Sequence, residues 1–404
     1  MKVLISIFEQ LYPISGGGTP RISNLVRAFA HRGHEVLVVA GFGASSEESC
    51  RELGCREAVV LKTVSRLDPA KMKKYLFAHP VNILRLAWAV RRFKPDLVVS
   101  HNTIAGAGAL LGSAMIRRRP LLVLDLTDVL FEYLSDYGKQ GWLSMVHKLG
   151  RKMEEAAIRR SDRIVTISAA MKKILLDYGA DEGKIDVVCD GVDLSVFQRV
   201  EESKLRGRLA PGRDTLIAYQ GVIDPQDEPG LVVEAARLVV ARHPSTVFLV
   251  IGGGTALPGL RGEVAAAGLE DNFYFSGWVT QAEVARYLSA ADIGLVVLPD
   301  TVSARGRVTL KEFEYWACGE AVIAPRLPAL EEVIEDGVNG IFYRPSDAAD
   351  LADRINLLIA DPALRRRLAE AGRLLVEAKY RWEKLADDFV AVCENIYSSR
   401  PSRR

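Results

Sequence analysis

The sequence has few cysteines, and none of them stands at a spacing typical of metal ligands. There are five in 404 residues, and only Cys50 and Cys55 lie near each other in the chain. A scattered set of odd number argues against a disulfide framework and is typical of free thiols in a reducing cytoplasm. Long apolar runs are also missing, because the longest weakly polar one, residues 103–116, is too short to span a bilayer. The apolar run at the N-terminus ends at Glu9, so we do not expect a secretory signal.

Several motifs that define common enzyme classes are absent as well. We find no nucleophile elbow, no Gly-Lys-Ser/Thr phosphate loop and no cluster of metal ligands, so neither a metal nor a cofactor is expected. Zinc-finger spacing and aromatic-rich RNA motifs are missing too, so nucleic acid is not an expected partner. No Gly-x-Gly-x-x-Gly follows the first predicted strand. That absence disfavours a nicotinamide dehydrogenase, which the fold class alone would allow.

Charge is distributed unevenly along the chain, although the net charge is only +2. Residues 1–197 contain 28 Lys and Arg against 21 Asp and Glu, and the remainder carries a net charge of −5. Basic clusters occur at residues 71–74, 91–94, 117–119 and 159–160. Each cluster alone is best interpreted as a solvated helix face or end. Together they could hold the N-terminal half on an anionic lipid surface.

Short apolar runs alternate with longer amphipathic stretches along most of the chain, which is long enough for two domains. Val, Ile and Leu runs separated by helices predict parallel sheets covered on both faces. Strands are predicted at residues 3–7, 35–41, 58–64, 96–101, 121–126, 163–168, 185–190, 215–221, 247–254, 273–277, 293–299, 321–325 and 339–343. A polar stretch at 198–213 interrupts the pattern and is interpreted as a linker. The sequence therefore predicts two doubly wound α/β domains, 1–197 and 214–380, with ligands at the carboxyl ends of the strands in an interdomain cleft.

A glycine-rich turn, LYPISGGGTPRISNLV, leads from the first predicted strand into a helix. Gly16, Gly17 and Gly18 allow the backbone to approach another group closely, and Thr19 is a plausible N-cap before Pro20. The N–H groups and the dipole at a helix start favour an anion. A plain strand-to-helix turn explains the stretch equally well.

The stretch TLKEFEYWACGEAVIAP is the most specific in the chain. A helix there places Lys311 and Glu314 on one face, and Gly319 is a natural C-terminal cap before a buried strand. In isolation the pair is more often a surface ion pair worth little. The stretch resembles the nucleotide-binding signature of the retaining GT-B-type glycosyltransferases of group 1, the sucrose-synthase-like family. Thr309 and Trp316 replace a Pro and a Met that are common in that signature.

The resemblance extends over nearly the full length. GGGTPRISNLVRAFAHRGHEVLVVA is similar to the family's N-terminal glycine loop and the strand after it. SDRIVTIS and VVCDGVDLSVF resemble the end of its first domain, and residues 250–299 resemble the core of its second. Residues 381–404 resemble the C-terminal helix that returns to the first domain, with a tail. The resemblance implies a GT-B fold with two Rossmann-like domains and a metal-independent, retaining hexosyltransferase.

The resemblance also assigns roles to residues. In the family, the glutamate at the position of Glu314 binds the ribose hydroxyls of the sugar nucleotide, and a carboxylate suits that contact. Lys311 would neutralise the diphosphate as the glycosidic bond breaks. Further donor contacts are implied at Gly16, Gly17, Gly18, Gly221, Gly253, Gly254, Trp278, Val279 and Arg305. For the two glycines of the pair 253–254, a plain strand-end turn is the alternative.

Two further departures from the family's pattern concern charged residues. The family's first glutamate, which contacts the transferred sugar, is replaced by Gly306. An Arg and a Lys that usually follow the strand matching AYQG correspond to a stretch that supplies Asp227 instead. Arg305 or Arg307 would then act near the missing glutamate, and the diphosphate would depend on these arginines, Lys311 and backbone N–H groups. The same departures would fit a protein of weak or lost activity.

Polar residues end two predicted strands of the first domain. Asp125 and Asp128 follow LLVL, and a carboxylate there could orient an acceptor hydroxyl or take its proton. An N-cap role explains Asp128 equally well. A lone histidine more often packs or donates a hydrogen bond, so we rank His101 below Asp128. The candidate catalytic residues are Asp128, Lys311 and Glu314, and the candidate acceptor-side residues are His101, Asn102, Asp125 and Asp128.

The sequence thus predicts a cytoplasmic glycosyltransferase that is peripheral at the inner face of the membrane. It would move a sugar from a nucleotide diphosphate donor to a saccharide or lipid-linked acceptor, in the synthesis of cell-envelope polysaccharide or glycolipid. The sugar nucleotide is a co-substrate. The alternative is a non-catalytic protein of the same fold that binds a sugar nucleotide or a partner protein, and nucleotide binding without donor turnover would favour it.

Overall fold

The computed structural model describes residues 1–12, 18–42, 46–61, 72–129, 142–201, 203–212 and 214–400. The chain forms two compact units. One consists of Met1–Cys189 together with Trp382–Arg404, and the other of Asp190–Arg381. The N-terminal segment of the first unit therefore ends at Cys189, eight residues before the predicted boundary at residue 197.

The first unit contains a seven-stranded parallel sheet of order β3-β2-β1-β4-β5-β6-β7. Its strands are β1 (Lys2–Tyr12), β2 (Glu35–Phe42), β3 (Glu57–Val60), β4 (Leu97–His101), β5 (Leu121–Leu126), β6 (Arg163–Thr166) and β7 (Ile185–Val187). Its helices are α1 (Gly18–His31), α2 (Ser46–Leu53), α3 (Met72–Phe93), α4 (Asn102–Ala114), α5 (Trp142–Arg160), α6 (Ala169–Asp177) and the C-terminal α15 (Trp382–Ser398). Helix α1 begins one residue before Thr19, the predicted N-cap.

The central strands of this sheet are apolar because helices cover both faces. Strands β4 and β5 are buried along their whole length, as expected for the middle of a parallel sheet. Val99 of β4 pairs with Ile5 on one side and with Val123 on the other. The same register places His101 beside Asp125 at the carboxyl ends of the two strands.

The second unit contains a six-stranded parallel sheet of order β10-β9-β8-β11-β12-β13. Its strands are β8 (Thr215–Val222), β9 (Thr246–Gly253), β10 (Phe273–Gly277), β11 (Ile293–Leu295), β12 (Ala321–Pro325) and β13 (Gly340–Tyr343). Its helices are α7 (Ser203–Leu209), α8 (Gly230–Arg242), α9 (Leu257–Ala266), α10 (Gln281–Ser289), α11 (Val302–Gly306), α12 (Lys311–Cys318), α13 (Ala348–Ala360) and α14 (Pro362–Lys379).

Four strands end at least two residues before the apolar runs that predicted them, and one of these is β6, which ends at Thr166. Strand β11 ends at Leu295, although the apolar residues 296–298 are buried. Strands β3 and β7 likewise end at Val60 and Val187, and residues 62–64 of the predicted third strand lie outside the described residues. An apolar run indicates which residues are buried, whereas a strand also requires backbone hydrogen bonds to a neighbouring strand. The length of the run therefore overestimates the length of the strand.

Residues 198–213, predicted as a linker, belong to the second unit and include α7. The Arg206 guanidinium donates to the carbonyls of Ala290 at 2.7 Å and of Asp214 at 2.9 Å. It also pairs with the Asp292 carboxylate at 2.9 Å. Asp214 and Asp292 immediately precede β8 and β11. Arg206, one of the polar residues of this stretch, therefore hydrogen-bonds to the amino end of the second sheet.

The C-terminal helix α15 packs on α1 within the first unit. Arg32 pairs with Asp387 at 3.0 Å and with Glu394 at 2.8 Å. His34 Nε2 lies 2.9 Å from the same Glu394 carboxylate. Exposed pairs of this kind contribute little individually, whereas the apolar face of α15, with Phe389 fully buried, supplies most of the stabilisation through burial.

Candidate active site

Helix α12 directs two polar side chains to the carboxyl end of β8. Glu314 Oε2 accepts a hydrogen bond of 2.5 Å from the Gln220 side-chain amide. Lys311 Nζ lies 5.7 Å from the centre of the Tyr219 ring. Lys311 and Glu314 therefore share one face of the helix and meet neighbouring residues of a single strand.

The first turn of α12 is held by a buried carboxylate. Glu312 accepts from the Thr309 backbone N–H at 2.8 Å and from the Thr309 hydroxyl. The Lys311 N–H donates in turn to the Thr309 hydroxyl oxygen at 3.2 Å. Burial raises the pKa of Glu312 to about 7, although these hydrogen bonds oppose the shift. Thr309, which replaces the Pro common in the family signature, thus supplies donors that a Pro lacks.

Tyr315 and Trp316 anchor α12 in the core, which fixes the direction of Lys311 and Glu314. The Tyr315 hydroxyl accepts from the Gln220 N–H at 3.1 Å and donates to the Leu295 carbonyl at 3.0 Å. Trp316 Nε1 donates to the Asn339 carbonyl at 2.8 Å. The helix ends at Gly319, whose φ of +90° is the left-handed conformation that glycine adopts without strain.

The environment of Glu314 disfavours its charged form. Desolvation raises the pKa of Glu314 to about 7, and the Glu312 carboxylate adds to the shift. The hydrogen bond from Gln220 and the charge of Lys311 act in the opposite direction. A carboxyl group poised near neutral pH can accept hydrogen bonds from hydroxyl groups of a ligand once it is ionised.

Two cations converge on one carboxylate in the loop after β8. Lys311 Nζ lies 3.5 Å and Arg307 Nη2 3.4 Å from the two oxygens of Asp227. All three side chains are largely buried. Arg305, the other of the two arginines predicted to act here, is more exposed and pairs with Asp300 at 2.5 Å. The structure therefore brings Arg307, and not Arg305, to the Lys311 cluster, while Gly306 between them is buried at the end of α11.

Glycines at the carboxyl ends of β8 and β9 allow close packing around this cluster. Gly221 has a φ of +121°, and a Cβ there would lie 3.0 Å from Lys311 Cε. A Cβ on Gly253 would lie 2.6 Å from Nε1 of Trp278, whose indole is largely exposed. A Cβ on Gly254 would lie 2.3 Å from the Ile223 carbonyl oxygen. The partly exposed Val279 follows the tryptophan.

A second cluster lies at the carboxyl ends of β4 and β5 in the first unit. His101 Nδ1 lies 2.8 Å from Asp125 Oδ2. Arg21 of α1 binds the same carboxylate, with Nε at 2.9 Å and Nη2 at 2.8 Å from Oδ1. All three side chains are buried. Arg21 also donates to the Val188 carbonyl at 3.1 Å and lies over the Phe389 ring of α15.

The charge of this cluster fixes the histidine tautomer. Burial opposes ionisation of Asp125, but the charge of Arg21 and the hydrogen bond from His101 outweigh it and lower the pKa of Asp125. An ionised carboxylate only accepts hydrogen bonds, so Nδ1 is the protonated nitrogen of His101. Nε2 then faces the start of α1, where a Cβ on Gly18 would lie 2.7 Å from it. Gly16 and Gly17 lie outside the described residues.

The remaining predicted residues of the first unit differ in their surroundings. Asn102 has a φ of +62°, and its buried Oδ1 has no hydrogen-bond partner among the residues that the structure describes. Asp128 Oδ1 accepts from the Val129 N–H at 2.8 Å, and the described contacts do not place Asp128 in the His101–Asp125 cluster. The buried carboxylate on this edge is therefore Asp125.

Sequence reasoning missed Arg21, Gln220 and the pairing of Asp227 with two cations. Arg21 stands beside Ile22 on a helix with an apolar face, and a charged residue buried on such a face needs a partner. That signal could have drawn attention to Arg21. Gln220 had no local signal, because its partner is 94 residues away in the chain.

The cysteines, which are few in the sequence, form no disulfide bond. All five cysteines are free thiols, with Cys50 and Cys55 in contact at 2.7 Å between the sulfurs. Burial raises the pKa of both thiols, which disfavours the reactive thiolate.

Within the described ranges, no three His, Cys, Asp or Glu side chains come together as metal ligands. No helix in those ranges is both long and apolar enough to cross a bilayer.

At the carboxyl edge of the second sheet, the segment after β11 supplies a carboxylate and two cations beside the end of β8, and an exposed indole follows β10. Such an edge suits a ligand that has hydroxyl groups, anionic phosphates and a planar ring. With a doubly wound sheet in each unit, fold and site define a two-domain α/β enzyme of the GT-B class.

Family models support and sharpen this classification. Residues 15–196 match glycosyltransferase family 4, and residues 201–375 match the glycosyl transferases group 1. The chain belongs to the family 4, or group 1, glycosyltransferases. These are retaining enzymes that transfer a sugar from a nucleotide donor.

Curated relatives include D-inositol 3-phosphate glycosyltransferases of several organisms. The protein of Frankia alni is 29% identical over 92% of each chain. That of Streptosporangium roseum is 30% identical over 60% of this chain and 58% of its own, so this second match spans less than two thirds of the relative.

Solved structures show the same fold at low identity. Sucrose-phosphate synthase of Thermosynechococcus elongatus superposes with a TM-score of 0.81 at 18% identity, covering 99% of this chain and 100% of that one. Anabaena HepE, solved with UDP and glucose, gives 0.77 at 18% identity, covering 98% and 99%. These similarities define the fold as GT-B.

Proposed function

We propose that this protein transfers a hexose from a uridine diphosphate donor to a saccharide or lipid-linked acceptor in the synthesis of cell-envelope polysaccharide or glycolipid. The observation that carries the proposal is the pairing of Glu314 with Gln220 beside Lys311 at the end of β8. A structure of the same fold supports uracil as the base of the donor, because HepE has been solved with UDP and with UDP-glucose.

The donor contacts are assigned to the second unit. Glu314 accepts hydrogen bonds from the ribose hydroxyls, and Gln220 holds the carboxylate in position. Lys311 and Arg307 lie beside each other on Asp227 and would take the diphosphate. The exposed indole of Trp278, with Val279 after it, is the platform for the base. Backbone N–H groups at Gly221, Gly253 and Gly254 complete the proposed donor contacts of this unit.

The chemical step requires charge stabilisation more than a protein nucleophile. The bond from the anomeric carbon to the donor phosphate breaks, and its electron pair goes to the phosphate oxygen. The acceptor oxygen forms the new bond on the same face, and its proton passes to the leaving phosphate. Lys311 and Arg307 stabilise the developing negative charge, so the proposed reaction needs no metal ion for that role.

The acceptor contacts are assigned to the first unit. His101 presents Nε2 next to Gly18, and Asn102 has a buried oxygen without a described partner. Either group can hydrogen-bond an acceptor hydroxyl. Asp125 acts by holding His101, and Asp128 remains a candidate to orient the acceptor or take its proton.

A second candidate function is supported by one observation. Asp227 neutralises part of the positive charge of Lys311 and Arg307, and Gly306 stands where the family has a glutamate. A protein with this charge distribution could bind a sugar nucleotide without turning it over. Donor consumption, measured with UDP-hexoses in the presence of saccharide, lipid-linked and inositol phosphate acceptors, separates the two functions.

Nucleotide binding is the first test. UDP, GDP and ADP are compared by thermal stabilisation of the wild type, of Glu314→Ala and of the surface control Glu270→Ala. A nucleotide at about 100 times its Kd stabilises the unit that binds it by about 2.7 kcal/mol. We expect this effect for UDP, much reduced in Glu314→Ala and retained in Glu270→Ala. Equal stabilisation of both variants, or none of the wild type, would remove the basis of the proposal.

The proposed place of action is the inner face of the membrane, reached through the basic N-terminal unit. Arg117 and Arg118 are exposed, and Arg119 is partly engaged by Asp162 at 3.2 Å. The side chains of residues 71–74 lie outside the described residues. Binding to anionic vesicles that is unchanged after neutralising 71–74 and 117–119 would contradict this charge-based part of the proposal.

A further inference from the structure

Helix α3 presents an apolar stripe to solvent. Val81, Leu84 and Trp88 are 42%, 64% and 53% exposed. Their spacing of three and four residues places them on one face of the helix. Single exposed apolar residues are common, but a contiguous patch that includes a tryptophan marks an interaction surface. We call these three side chains the α3 stripe.

The charged residues of helix α3 itself are all basic. Helix α3 contains Lys73, Lys74, Arg85, Arg91 and Arg92, and no Asp or Glu. The Arg92 guanidinium lies 5.4 Å from the centre of the Trp88 ring.

The neighbouring sheet edge continues the same surface. Arg85 donates to the carbonyl of Val60 at 3.1 Å, and the side chain of Val60, on edge strand β3, is also exposed. Glu57 at this edge pairs with Arg92 at 2.9 Å, whereas the exposed Arg91 has no ion pair within the described part of the chain. The apolar stripe is thus flanked by guanidinium groups, of which one is neutralised.

We propose that the α3 stripe docks on an anionic phospholipid surface, with Leu84 and Trp88 entering the boundary between headgroups and acyl chains. Tryptophan is favoured at that depth, and flanking arginines bind lipid phosphates. This inference deepens the membrane part of the proposed function, because it assigns the contact to apolar insertion at α3 and not to charge alone.

The charge pattern argues against a second copy of the chain as the occupant. A two-fold symmetric contact would bring the same patch of both copies together. Arg85 and Arg91 of each copy would then face like charges, which disfavours the contact, whereas Arg92 is already paired with Glu57. A lipid surface of opposite charge has no such cost.

The experiment is co-sedimentation of the full chain with vesicles of phosphatidylglycerol and phosphatidylcholine, or of phosphatidylcholine alone. The test variant is Leu84→Ser with Trp88→Ser. The matched control is Leu374→Ser, which removes a 52% exposed leucine from α14 of the other unit. We expect at least about tenfold weaker binding of the double variant to anionic vesicles, no change in the control, and roughly a hundredfold preference of the wild type for anionic vesicles.

Each other outcome overturns the inference in a distinguishable way. If neutralising residues 117–119 abolishes binding while the Leu84/Trp88 variant still binds, charge elsewhere makes the contact and only the membrane part of the proposed function stands. If the wild type binds no vesicle, both fail. A wild-type dimer in light scattering that the Leu84/Trp88 variant dissociates would identify the stripe as a protein interface. UDP stabilisation, measured on the same variants, reports on the donor site independently.

Discussion

Replacing Asp125 by leucine should destabilise the first unit strongly. Arg21 and Asp125 are 1% and 0% exposed and are joined by two contacts below 3 Å. Removing one partner leaves a buried, uncompensated charge, which costs about 3–5 kcal/mol. The His101 Nδ1–H also loses its acceptor, and an unsatisfied buried donor costs about 1–3 kcal/mol.

The double variant Arg21→Met with Asp125→Leu is the informative control. It removes both charges at once, so what remains is the unsatisfied histidine donor and the carbonyls of Val188 and Cys189 that Arg21 had bound. We therefore expect the double variant to be more stable than Asp125→Leu alone, although it carries one more substitution. Hydrogen exchange of peptides from β4 and β5 is the suitable measurement, because two units can unfold separately and a single melting curve would mix them.

The same pair predicts how acid affects the first unit. The folded-state pKa of Asp125 is lowered, so its contribution to the free energy of unfolding is complete above the ordinary value of about 3.9. The contribution disappears as the pH falls through the lowered folded-state pKa. Protection of β4 and β5 should fall less in acid for the double variant than for the wild type. A cost below about 1 kcal/mol for Asp125→Leu, or a double variant less stable than the single one, would refute the reasoning.

Three further predictions concern the second unit. UDP affinity, measured by calorimetry, should rise from about pH 6 to about pH 8, because the Glu314 carboxyl has a pKa of about 7 and its ionised form accepts the ribose hydroxyls; an equal rise in Glu314→Gln would contradict this. Arg307→Ala should weaken UDP binding about tenfold or more and Arg305→Ala hardly at all, since only the first belongs to the buried cation cluster; equal losses would count against the assignment. Gly221→Ala should cost about 1–3 kcal/mol in thermal unfolding and reduce UDP stabilisation, because φ is +121° and the new Cβ would press on the helix lysine. Gly259→Ala, which meets nothing within 4 Å, is the matched control and should do neither.

The fold was predictable because its signals are local. Short apolar runs in the sequence indicate the buried parallel strands, and apolar residues at helical spacing indicate the helices between them. The helical spacing alone placed Lys311 and Glu314 on one face, and both contact the end of β8. The stretch at 198–213 is predicted as a linker from its polar composition, and that composition does not reveal that Arg206 bonds to the edge of the second sheet.

The partners of the candidate site residues were not predictable, because they depend on strand order. Arg21 and Asp125 are 104 residues apart in the chain, and the order β1-β4-β5 brings them together. No spacing rule encodes such a pair. What the sequence does encode is the requirement for one, since an arginine beside Ile22 on the apolar side of α1 must find an acceptor when buried.

Asp227 changes how the departure from the family's pattern is understood. Judged from the sequence, a carboxylate where an Arg and a Lys are usual is a loss of positive charge at the diphosphate. In the structure, that carboxylate holds Lys311 and Arg307 side by side. Buried cations need a counter-charge in the free protein, and the three groups together still leave one positive charge. We therefore expect a diphosphate to displace Asp227 from two cations that are already in place, with Arg307 compensating in part for the missing Arg and Lys.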